Sequence, residues 1–192
     1  MSEQFFSFQG QNYEYFDHPY NNTRINERTV EIPISLNFLN QFKDDMIEIG
    51  CVTPYYFESN HEVFDLADNH PRAKHDDAVS LDYKNKNVLS ISTIEHIGRS
   101  DYGIQEKEKN SAIDLCKKII SESLNYFITW PLGYNKILDD WALNEEGSLF
   151  IARQDGNKYL WQQKKIDELT PDNKKYGTFH CANTIIIFTN LK

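Results

Sequence analysis

The chain has 192 residues, 40% of them hydrophobic and 26% charged, which suits one domain with its own core and excludes a miniprotein that needs disulfide or metal staples. A formal net charge of −9, from 29 acidic and 20 basic side chains, counts against a partner held by phosphate neutralisation, so no nucleic acid is expected. No apolar run approaches the roughly 20 residues that span a bilayer, and Met1 to Gly10 has neither a basic start nor an apolar stretch, so no membrane partner and no secretory signal are expected.

Residues 1–29 hold Phe5, Phe6, Phe8, Tyr13, Tyr15, Phe16 and Tyr20 among Gln, Asn and Glu. No period of 3.6 or 2.0 persists there, which predicts an irregular aromatic arm. Rings at that density are rarely left in water. The arm is expected to pack over the body as a lid, or to cover a sheet edge or an oligomer interface.

Residues 30–192 read as one domain. Thr29, Val30, Glu31 and Ile32 are strand-like, and Pro33 is placed to open a helix at its first turn. Ile34, Leu36, Phe38, Leu39 and Phe42 then give a rough helical face to about Lys43. Asp45 to Gly50, Glu62 to Leu66, Ala78 to Leu81 and Val88 to Ile94 read as four successive strands. Lys107 to Ser123 reads as a helix, Asn125 to Trp130 as a fifth strand stopped by Pro131, and Tyr134 to Asn144 as a short helix. Asp155-Gly156 between two alternating runs predicts a hairpin over Ser148 to Gln163. Asn183 to Thr189 is an uninterrupted apolar strand, as for one covered on both faces. The alternation predicts an α/β fold with an open, mostly parallel sheet and helices on both faces.

Cys51, Cys116 and Cys181 are odd in number and far apart. Neither a zinc cage nor a disulfide framework is expected, so no metal is assigned and a cytoplasmic location follows. His61, His70 and His75 lack metal-ligand spacing.

Ligands of open α/β sheets sit beyond the carboxyl ends of the strands. After the first strand come Glu48, Gly50 and Cys51, where Gly50 allows a tight turn and close backbone approach. Glu48 is placed to accept from a cationic or amide group, or to brace a neighbouring amide. Asp65, with Leu66 beside it, follows the second strand fifteen positions past Gly50; it is a candidate acceptor for both ribose hydroxyls, or a plain strand-end acid. Asp82 and Tyr83 follow the third as an acceptor beside a ring, though a loop Asp is also a common turn former. Ser92, Glu95 and His96 follow the fourth. His96 is the candidate general base, with closure of its own loop as the other reading. Glu95 faces the opposite way on an extended segment and braces the loop or meets a ligand. Tyr102 and Tyr134 follow strands four and five, and with Tyr20 and Arg28 of the arm they are candidate substrate walls.

The ordered set EIG, VFDL, SLDY, VLSISTIEHIG and YFITWPLGYN resembles the class I S-adenosylmethionine-dependent methyltransferases, across about residues 30–192. The resemblance implies a Rossmann-like, seven-stranded sheet with an antiparallel last strand. It further implies S-adenosylmethionine as cofactor, held by Glu48, Gly50, Cys51, Asp65, Leu66, Asp82, Tyr83 and Ser92. The implied reaction is methyl transfer to a small molecule; the aromatic walls with Asn and Asp suit a polar acceptor, a hydroxyl of a sugar or glycan precursor. The glycine-rich turn keeps only its first glycine, with Cys51, Val52, Thr53 and Pro54 in place of the rest. Ten residues between Gly50 and His61 leave room for at most a short helix. A non-catalytic relative binding a protein partner through the arm is therefore the alternative. A nicotinamide oxidoreductase is disfavoured, because no second and third glycine seat a pyrophosphate. Homodimerisation is left open.

Overall fold

The computed structural model describes residues 4–100, 110–154, 157–178 and 181–191. The arm opens with β1 (Phe5–Phe8) and β2 (Gln11–Glu14), paired antiparallel. Then come α1 (Arg28–Gln41), β3 (Met46–Ile49), β4 (Glu62–Phe64), β5 (Ala73–Lys74) and β6 (Asn87–Ile91). They are followed by α2 (Ser111–Glu122), β7 (Asn125–Pro131), α3 (Lys136–Ala142), β8 (Leu149–Gln154) and β9 (Asn157–Lys164). The chain closes with β10 (Tyr176–Thr178), β11 (Cys181–Ala182) and β12 (Thr184–Thr189).

The central sheet corrects the predicted Rossmann-like, seven-stranded form with only its last strand antiparallel. It has eight strands in the order β5-β4-β3-β6-β7-β12-β8-β9. Pairing is parallel from β5 to β7, but β7-β12, β12-β8 and β8-β9 are all antiparallel. The crossovers from β3 to β4 and from β5 to β6 hold single 3-10 turns at Thr53–Tyr55 and Ala78–Ser80. They are too short for the α-helices that normally cover a parallel sheet. Helices are therefore sparse. On one face α2 and α3 bury Leu115, Ile119 and Leu138 against Val88, Trp130 and Phe188. The other face carries α1 together with the β1-β2 hairpin.

Three element readings change for physical reasons. The arm is not irregular: Gln9 and Gly10 have φ 49° and 79°, the two positive values of a tight hairpin turn, and Phe6, Phe8 and Tyr13 are buried. The helix begins at Arg28, with Pro33 inside it. Pro33 has no N–H to offer the Thr29 carbonyl, and that carbonyl accepts from Phe16 N–H at 3.0 Å instead. The third strand is Ala73–Lys74, not Ala78 to Leu81. Asp77 accepts from Val79 N–H at 3.1 Å and caps a 3-10 turn there. Residues 155–156 of the predicted hairpin turn, and the predicted start of α2, fall outside the described residues. Among the described residues, no helix is long and apolar enough to cross a membrane.

Candidate functional site

Strand order reverses between β3 and β6, where chain connections leave in opposite directions and open a crevice at the strands' carboxyl ends. A cavity of about 370 Å³ lies there, within the range of small-ligand sites. Its floor is Ile49, Gly50 and Cys51 of the turn after β3, with Ser92, Thr93 and His96 after β6. Asp65, Leu66 and Asp68 after β4 form one wall, with Asp76 and Asp77 after β5. Tyr20, Asn21 and Arg28 approach from the arm and α1.

Gly50 has φ +87°, and a Cβ there would meet Thr93 Oγ1 at 1.9 Å. Its space is taken by Thr93, so glycine is required by packing as well as by backbone shape. Cys51 lies in the cavity floor; burial first, then Asp68, Glu48 and Asp65, push its thiol up to about 12, so it is no thiolate nucleophile near neutrality.

Asp65 ties two loops together. Its carboxylate accepts from Cys51 N–H at 2.9 Å, Ala67 N–H at 2.8 Å and Asp68 N–H at 2.9 Å. A carboxylate offers about four acceptor positions, which leaves capacity for a ligand hydroxyl. Asp68 accepts from Tyr55 hydroxyl at 2.8 Å and from His70 N–H at 2.7 Å.

Glu48 lies beneath the floor, fully buried. It accepts from Val52 N–H at 3.0 Å and Thr53 N–H at 2.8 Å, and from the Thr53 hydroxyl. Its other partner is His61 Nε2 at 2.7 Å. It braces the turn that lacks the further glycines, rather than lining the cavity.

Asp82 and Tyr83 are not brought to the cavity. Asp82 accepts from Lys84 N–H at 3.0 Å, a turn former's bond. Tyr83 is buried in the core and donates to the Ala78 carbonyl at 2.6 Å.

Ser92 takes φ +40°, a strained value for a side-chain-bearing residue at a site. Its hydroxyl donates to Glu31 Oε1 at 2.8 Å. Glu31 also accepts from Thr129 at 2.5 Å and pairs with Arg28. Burial lowers the Arg28 pKa, but Glu31 and Glu27 more than reverse that, so the guanidinium stays charged.

Glu95 is buried beside the cavity rather than in its lining, and its Oε2 has no hydrogen-bond partner among the described residues. Burial holds its carboxyl well above the usual range. Its Oε1 stands 3.7 Å from His96 Nε2. Tyr134 lies edge-on to the His96 ring at 4.8 Å, away from the main lining. Tyr102 lies outside the described residues.

The sequence reading missed Asp68, Asp76, Asp77, Tyr55 and Tyr56. Asp76 and Asp77 follow β5, a two-residue edge strand with no periodic signal. The only cue at Tyr55 and Tyr56 was their place after Pro54, in a turn already expected to meet the ligand. Among the described residues, no group of three or more His, Cys, Asp or Glu is arranged to hold a metal. No protein family, no curated protein and no solved structure matches this chain.

Proposed function

We propose that this chain is an S-adenosylmethionine-dependent methyltransferase acting on a small polar acceptor, a hydroxyl of a sugar or glycan precursor. The observation that carries the reading is the charge balance of the cavity at the β3/β6 reversal. Asp65, Asp68, Asp76 and Asp77 line it, against Arg28, whose charge is largely met by Glu31. Such a site suits a ligand with fixed positive charge and opposes a dinucleotide's phosphates.

The residues present fit that cofactor. Asp65 has acceptor capacity for a ribose hydroxyl. Leu66, Ala78 and Ile97 of the lining would give a base apolar contact. Bound S-adenosylmethionine would supply an electrophilic methyl carbon, with its sulfur as the leaving group that keeps the bonding electron pair. His96, in the cavity lining, would take the proton of the acceptor hydroxyl. Most of the acceleration comes from positioning, because the displacement must run in line.

Cys51, Cys116 and Cys181 are buried and form no disulfide with one another, which supports a cytoplasmic location. The alternative, a non-catalytic scaffold docking a partner through its arm, has less support, because Phe6, Phe8 and Tyr13 are buried in this chain's own core. Isothermal titration with S-adenosylmethionine and S-adenosylhomocysteine tests the cofactor; no heat at millimolar ligand overturns the reading. For His96, an active His96→Ala enzyme with an unchanged pH profile removes the base.

A further inference from the structure

Three tyrosine rings meet in the lining of the cavity beside Asp68. Tyr20 of the arm stacks on Tyr55 with ring centroids 4.7 Å apart and planes 3° apart. Tyr56 meets Tyr20 at 5.5 Å and 75°, so the rings form a corner. All three rings line the cavity, together with Asp65 and Asp68. Asp68 is tied to the corner directly, by the Tyr55 hydroxyl. The arm is shaped to bring Tyr20 there: Asn21 and Asn22 both take left-handed backbone, φ 55° and 48°. Tyr20 remains 45% exposed, so part of its ring is open to a ligand.

Aromatic faces beside carboxylates attract cations through the ring quadrupole and direct Coulomb attraction. A metal ion is the poorer occupant, since small cations keep their water and ask for several oxygen or nitrogen ligands. Sulfonium and alkylated ammonium ions are weakly hydrated and broad enough to touch several rings. Burial first, and then Asp68, raise the pKa of Tyr20 and Tyr55, so both phenols stay neutral around pH 7.

We propose that Tyr20, Tyr55 and Tyr56, with Asp68, form a recognition site for an organic ammonium or sulfonium group. The group has two sources: the cofactor's own sulfonium, or an alkylated ammonium group on the acceptor. The proposal shares the cavity with the methyltransferase reading and does not depend on it.

The test is isothermal titration of the full chain with choline, and with 3,3-dimethylbutan-1-ol as its uncharged isostere. Choline binds and the isostere does not. Tyr20→Leu weakens choline roughly 2- to 30-fold, the span from an exposed to a desolvated cation–ring contact, while Tyr20→Phe changes it little. Asp68→Asn weakens it as well. The titration is repeated with S-adenosylhomocysteine saturating. Displacement of choline assigns the corner to the cofactor; undiminished binding assigns it to the acceptor. No choline binding, equal binding of the isostere, or indifference to Tyr20→Leu with unchanged circular dichroism overturns the proposal. Choline binding without any S-adenosylhomocysteine binding leaves the corner standing and removes the methyltransferase reading instead.

Discussion

From β7 to β9 the sheet is antiparallel and held by large apolar side chains, whereas from β5 to β3 its strands are two to four residues long and its turns hang on carboxylates. In the first region Phe188 lies between Trp130 and Trp141, at 5.6 Å and 5.2 Å with near-parallel planes. In the second, Glu48, Asp65, Asp68 and Asp77 each accept backbone N–H groups from the turns that line the cavity. Apolar burial gives most of the stability per residue, and side-chain-to-backbone bonds give shape with little stability of their own. The division separates a stable platform from a pre-shaped ligand end.

The largest expected effect lies in the platform. Phe188→Ala removes the middle of the ring stack and costs about 3–5 kcal/mol in urea unfolding, with the cavity residues untouched. An equal loss of ligand affinity at temperatures where the variant is folded would break the comparison. Gly50→Ala is the counterpart at the ligand end. It combines a left-handed backbone with a clash on Thr93 and costs about 2–5 kcal/mol, and it abolishes ligand binding because the floor must move.

Asp139 joins the regions through pH. It accepts from Trp130 Nε1 at 3.1 Å and Gly133 N–H at 2.9 Å, and burial pushes its carboxyl up from 3.8 to about 6. The folded state therefore holds the proton that the unfolded state releases earlier. Stability falls as pH rises between those two values, by about 2–3 kcal/mol, and is flat above them. Denaturation midpoints of the wild type and Asp139→Asn across that window check this: the fall is smaller in the variant, the remainder coming from Glu95, whose carboxyl burial also raises. The smallest effect is Asp65→Asn. It costs about 1 kcal/mol globally, yet hydrogen exchange speeds up at the Cys51, Ala67 and Asp68 amides and not in β12. Uniform acceleration across the sheet would mean that the ligand end is not a separate unit.

The same division explains what the sequence made legible. β3, β6 and β12 are apolar runs buried on both faces, so composition alone located them. Gly50 and His96 follow two of these runs and Asp65 follows the shorter β4, and the rule that ligands meet strand ends reached all three. β5 is a two-residue edge strand, Ala73–Lys74, with no period to read. Asp76 and Asp77 were lost with it, and Asp82 took their place. α1 hid its start because it is covered on both sides: Val30, Ile32, Ile34 and Phe38 are all buried between sheet and hairpin, so no polar face marks a helix. In β1 the outward Phe5 breaks the alternation that Phe6 and Phe8 would otherwise show. The number of antiparallel pairs depended on long-range pairing of β8, β9 and β12, which local pattern does not encode.

The central claim is that an acid-lined cavity at the β3/β6 reversal binds a cationic nucleoside cofactor. Isothermal titration of S-adenosylmethionine into the wild type and Asp65→Asn tests it most directly. The account predicts saturable one-site binding, weakened by the substitution while the fold persists. Absence of binding to the wild type, or equal affinity in both proteins, would contradict it.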